Sequence, residues 1–188
     1  MDAFSYLSVL LSIVLGLAVT QLLSGFAGLV HARRRIAMYW PVLLQMVAVL
    51  LITIQVWWST FGLHNVRQWT FAKFLVVLAQ SIAVYLMAAF ITPELDGDGR
   101  INLRDAYFRE ARWFFGSILA ALAISLLKNF MLSGSLQSGF DLAGHIVFAA
   151  VALTGAVSRR DAVHKAIAPL SLLVLGLYIA LLFLTLPK

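Results

Sequence analysis

Six apolar runs, each close to the length that carries a helix across about 30 Å of hydrocarbon, fill most of this 188-residue chain. They cover residues 4–30, 39–63, 71–92, 113–132, 140–157 and 166–186. No single soluble core could hide that much apolar surface. Apolar residues make up 62% of the chain and charged ones 12%, against roughly a quarter charged in a soluble domain. The expectation is an all-α polytopic membrane protein forming a single domain. Its six transmembrane helices are arranged as three hairpins. The fifth run is the shortest and opens on Asp141 and His145, so it is the least secure crossing.

Charge sets the orientation. Ten of the fourteen Lys and Arg residues fall in three turns: Arg33 to Arg35, then Arg100, Arg104, Arg109 and Arg112, then Arg159, Arg160 and Lys165. The positive-inside rule puts these turns in the cytoplasm and both termini outside. Met1-Asp2-Ala3-Phe4 lacks a basic leader segment, which points to a retained first span. Because the cations occupy short loops and make no continuous patch, the net charge of +6 points to no nucleic acid. The absence of cysteine excludes disulfides, thiolate metal sites and a cysteine nucleophile.

Within span one, Ser8, Ser12, Gly16, Thr20, Ser24 and Gly28 recur every four residues, a small-residue ridge of the kind that packs helices in lipid. Ser117, Ala121 and Ser125 repeat the pattern in span four and lead to Asn129. Gln21, Gln45, Gln55 and Gln80 are the strongest polar groups deep in the spans. Each is expected to bond a facing helix, or else to line a path for a small solute.

Ionisable groups gather near the outward ends. Lys128, Asn129, Asp141, His145 and, beyond span two, His64 form a candidate ion or proton relay, since ionisable groups in a membrane are functional candidates. In that reading Lys128 pairs with Asp141 and His145 titrates. The competing reading is interfacial, with Lys128 reaching for water and Asp141 at a helix N-terminus. His64 and His145 together also raise haem ligation.

The segment 93–112 is the one connection long enough for structure of its own. Residues 94–105 resemble the twelve-residue EF-hand calcium loop, with Glu94, Asp96, Asp98 and Asp105 at the first, third, fifth and twelfth places and Gly99 at the sixth. Glu94 and Asp105 depart from the usual Asp and Glu at the ends. The resemblance implies a divalent cation, calcium or magnesium, while the same residues also read as an acidic turn with Asn102 as N-cap. From Leu103 to Arg112 a short amphipathic helix is expected on the inner leaflet before the fourth span, with anionic lipid as its partner.

No G-x-S-x-G, H-E-x-x-H, Walker or G-x-G-x-x-G motif is present, and no Ser-His pair is expected to share a depth in two spans. The chain therefore leans away from enzymes. Its layout, with Tyr39-Trp40-Pro41 and Arg112-Trp113-Phe114-Phe115-Gly116, resembles small six-span bacterial inner-membrane proteins of uncharacterised function. The resemblance implies the bacterial plasma membrane and no activity. The leading expectation is an ion or solute transporter or channel-like bundle. Alternatives are a non-catalytic accessory or scaffold protein docking another membrane protein, and a haem- or quinone-associated redox subunit; the expected partner is a second copy in a homo-oligomer or another membrane protein.

Overall fold

The computed structural model describes residues 3–66, 68–95, 100–135 and 139–182. Its helices are α1 (Ala3–His31), α2 (Trp40–Ser59), α3 (Phe71–Ile91), α4 (Leu103–Ser133), α5 (Gly139–Val157) and α6 (Asp161–Leu182), with a 3-10 segment at Thr60–Asn65 after α2. All six helices are long and apolar enough to cross a membrane. The chain is an all-α, multi-pass membrane fold.

Local chemistry sets the helix ends. Pro41 opens α2, where its missing N–H costs nothing. Thr70 Oγ1 accepts from Lys73 N at 3.3 Å to start α3. Asn102 Oδ1 accepts from Arg104 N at 3.1 Å to start α4. Gly134, at φ +72°, closes α4 in the left-handed conformation that glycine adopts without a Cβ penalty.

Consecutive helices pack in pairs, and the pairs are joined by α1 against α3, α4 against α5 and α6 back against α2. The result is a closed bundle. Its centre holds Leu22, Met46, Ala88, Phe114 and Phe115, all buried. Its outer face carries exposed Leu17, Ile54, Ile82, Leu127, Ile146 and Leu173, which is the polarity of a protein solvated by hydrocarbon.

The three basic turns meet at one end, called here the basic end. Two elements at this end lie outside the sequence reading. Ile36–Ala37 (β1) and Ile101–Asn102 (β2) pair as a two-stranded parallel ladder joining the first and second turns. Ile101 N donates to Arg35 O at 2.9 Å, and the Arg35 guanidinium reaches Leu95 O at 3.1 Å. The expected separate amphipathic helix is corrected: residues 103–112 form the first turns of one 31-residue α4. Leu103, Tyr107 and Ala111 are buried against the bundle while Arg104, Arg109 and Arg112 are exposed. These three residues belong to the main core of the bundle, so their apolar face is covered by protein and not by the leaflet. The fifth helix is a full element, packed between α4 and α6.

Candidate functional site

Ser125, Lys128 and Asn129 stand three and four residues apart and share one face of α4. Asp141 and His145 share a face of α5 by the same spacing. These faces meet α2, α3 and α6 around a cavity of about 280 Å³, to which α2 adds Gln55 and Ser59, α3 adds Gln80 and α6 adds Tyr178. The polar groups lie toward the end opposite the basic one. Toward the basic end the wall becomes apolar, with Val84, Ile118, Leu122 and Leu175.

A hydrogen-bonded chain crosses three helices here. His145 Nδ1 lies 2.9 Å from the Asp141 carbonyl oxygen, which can only accept, so Nδ1 carries the proton. Nε2 shares a hydrogen bond of 3.2 Å with the Ser125 hydroxyl. Tyr178 donates its hydroxyl to Asp141 Oδ1 at 2.5 Å, and that carboxylate oxygen is 3.6 Å from His145 Nδ1. Other hydroxyls in the spans bond their own backbone: Thr53 to Val49 O, Ser81 to Val77 O and Ser117 to Phe114 O. Ser125 instead points at an imidazole. The Ser125–His145 bond and the Tyr178–Asp141 bond stand side by side, with the carboxylate oxygen 3.6 Å from Nδ1, so a proton passes between the two halves only if that gap closes.

Several expectations change. Ser125 and His145 do share a depth, contrary to the reading that no Ser-His pair would. Ser125 is eight residues from the end of α4 and His145 six from the start of α5, about 12 and about 9 Å along their axes. Lys128 and Asp141 line one cavity but form no ion pair, because Asp141 turns to Tyr178 and His145. Among the described residues Lys128 has no hydrogen bond or ion pair. His64 does not join the cluster. It is exposed, its ring lies tilted against that of Phe61 with centroids 4.8 Å apart, and its Nδ1 lies 2.5 Å from Phe61 O. Both ring nitrogens of His145 are engaged.

The four glutamines separate by place. Gln55 and Gln80 face the cavity, Gln45 is buried between α2 and α4, and Gln21 lines a hollow at the basic end with Thr92 and Arg109. Among the described residues, Gln45 Nε2 and Gln80 Oε1 are buried without the interhelical partner that was expected for them. In the loop 94–105, Asp96 and Asp98 lie outside the described residues. Asp105 Oδ2 accepts from Asn102 Nδ2 at 2.8 Å, which is the N-cap arrangement, and Glu94 shares a shallow hollow with Asp105 and Arg109. Among the described residues no group of three acidic or histidine side chains gathers as a metal site.

The ridge on α1 also moves. Ser12, Gly16, Thr20 and Ser24 are exposed, and the buried stripe of α1 is Leu11, Leu15, Ala18, Leu22 and Leu29. Only Gly28, against Leu95, packs closely at the ridge's end. The α4 ridge does face inward, with Ser117, Ala121 and Ser125 buried.

No family model, curated protein or solved structure matches the chain. The site is therefore read from its own geometry. Sequence spacing missed Tyr178 as the partner of Asp141 and Tyr107 as the partner of His164, whose contact at 2.8 Å spans 57 residues. An antiparallel register across the α4–α5 turn was the one signal that could have joined Ser125 to His145.

Proposed function

We propose that the protein binds a small polar solute or ion in the cavity among α2 to α6 and passes it across a bacterial plasma membrane. The hydrogen-bonded cluster of Ser125, His145, Asp141 and Tyr178, with Lys128, serves as gate and proton relay. The observation that carries this reading is the cavity itself. Five helices aim Lys, His, Asp, Gln, Asn and Tyr side chains into a space that apolar residues could have filled, and polar groups in hydrocarbon are costly unless used. The positive-inside distribution supports a cytoplasmic basic end.

Purified protein in liposomes tests it through ion and proton flux. Flux above that of empty liposomes, lowered on the order of tenfold in both Lys128→Met and His145→Ala, supports the passage. Flux that both variants retain at the wild-type rate sinks the cluster's role.

A second reading, docking through α1, is favoured by one observation: Ser12, Gly16, Thr20 and Ser24 lie exposed as a continuous small-residue face. Such faces let a second helix approach closely. A second copy of the chain is its simplest occupant. Mass measurement in detergent, comparing wild type with Gly16→Leu, separates a dimer that the substitution breaks from a monomer that sinks this reading.

A further inference from the structure

We infer that the cavity takes a small monocarboxylate, its carboxylate held by Lys128 and Asn129 and its short hydrocarbon tail against the apolar wall below them. The inference rests on the cavity being the binding site proposed above, and it names the ligand's chemistry.

The charge pattern carries it. An ammonium inside a membrane bundle is ordinarily paired, yet Lys128 has no hydrogen bond or ion pair among the described residues. The acid lining the same cavity, Asp141, is already engaged: Oδ1 accepts from Tyr178 at 2.5 Å and lies 3.6 Å from the protonated Nδ1 of His145. His145 engages both ring nitrogens, one with the Asp141 carbonyl oxygen and one with the Ser125 hydroxyl. The two formal charges cancel in sum but not in place. One ammonium is left facing the space, and one negative charge would complete it. A planar carboxylate suits the position, because the Asn129 amide sits next along the same helix and makes no hydrogen bond among the described residues, so it can donate beside the ammonium.

The tail follows from the walls. One turn and more deeper along α4, Leu122 and Ile118 face Val84 of α3 and Leu175 of α6. This surface offers no polar group to a second charged or hydroxylated end. The cavity of about 280 Å³ lies just under the range of about 300 to 1,000 Å³ for drug-sized ligands, which suits a small solute. Among the described residues, the unpartnered acceptor in the cavity, Gln80 Oε1, is a neutral amide oxygen and brings no charge to a solute's own ammonium, while the Asp141 oxygen that faces this network accepts from Tyr178.

Thermal unfolding and calorimetric titration of the full chain in detergent test this with four matched probes: butyrate, butyramide, n-butylammonium and 4-aminobutyrate. Butyrate alone should raise the unfolding midpoint. In Lys128→Met its affinity should fall at least tenfold, the loss expected for a charge-assisted hydrogen bond. The substitution removes an unpaired charge and should leave the unliganded protein no less stable, so a lost response is not a lost fold. Lys128→Arg, which keeps the charge, should retain binding and guards against a purely structural effect. An equal response to butyramide or butylammonium, no response to butyrate, or an unchanged response in Lys128→Met overturns the inference. So does a response to octanoate without one to butyrate, which would assign the site to a membrane fatty acid. Butyrate binding without any flux would sink the passage and leave the ligand class standing. Flux of another ion without butyrate binding would do the reverse.

Discussion

His164 is fully buried and uses both ring nitrogens, accepting from the Tyr107 hydroxyl at 2.8 Å and donating from Nε2 to Ser158 O at 2.9 Å. Tyr107, Phe108 and Phe115 surround its ring. The neighbouring ions look stronger on paper: Arg104 reaches Asp161 at 3.1 Å and Lys165 reaches it at 2.7 Å. Those side chains are substantially exposed, and water and salt screen them. The buried neutral pair should therefore matter more than the visible salt bridges. Tyr107→Phe keeps the ring and removes only the hydroxyl, stranding a buried acceptor, so it should destabilise by about 1 to 3 kcal/mol. Thermal unfolding in detergent measures this directly, with Arg104→Ala as the comparison that should shift the midpoint less. Equal shifts would mean that the ion network orders this end. None of this was legible in the sequence, where His164 falls beside Arg159, Arg160 and Lys165. Its partner is 57 residues away, and local patterns carry no information at that separation.

At the scale of helices, the spacing of small residues marked where a backbone approach is permitted but not where one occurs. Gly16 belongs to the six-residue ridge of α1 and has no neighbour within 4 Å of a Cβ added to it. Gly155 belongs to no repeat, yet a Cβ there would overlap the buried Phe115 ring. The two positions therefore separate the motif from the contact. Gly155→Ala should destabilise by about 1 to 3 kcal/mol through overpacking at the α4–α5 contact. Gly16→Ala should be neutral or slightly stabilising, since alanine is the better helix former. Unfolding midpoints decide the matter, and a loss at Gly16 equal to that at Gly155 would place a packing partner on α1 that this bundle does not contain. Helix existence was readable because six long apolar runs leave few alternatives. The continuity of α4 was not, because Arg104, Arg109 and Arg112 looked like an interfacial segment. What overrode that appearance was the burial of Leu103, Tyr107 and Ala111.

For the whole molecule, the geometry fixes which segments share an end and leaves open which side of the membrane that end faces. The β1–β2 ladder and the Arg104–Asp161 contact bring all three basic turns together, while Thr60–Asn65 and the start of α3 lie at the other end with the cavity's polar groups. Ten of fourteen cations at one end is the distribution that membrane insertion holds in the cytoplasm, so the cavity should be polar toward the outside. The chain has no cysteine, which makes single-cysteine labelling free of background. Arg34→Cys and Arg160→Cys should react with a membrane-impermeant maleimide only after cells are opened, and Gln68→Cys should react on intact cells. All three sites are outside the packed core, so labelling should reflect sidedness and not burial. The reverse pattern would turn the molecule over and place Lys128, Asp141 and His145 toward the cytoplasm. A solute entering the cavity would then come from inside the cell, and the proposed gate would govern export.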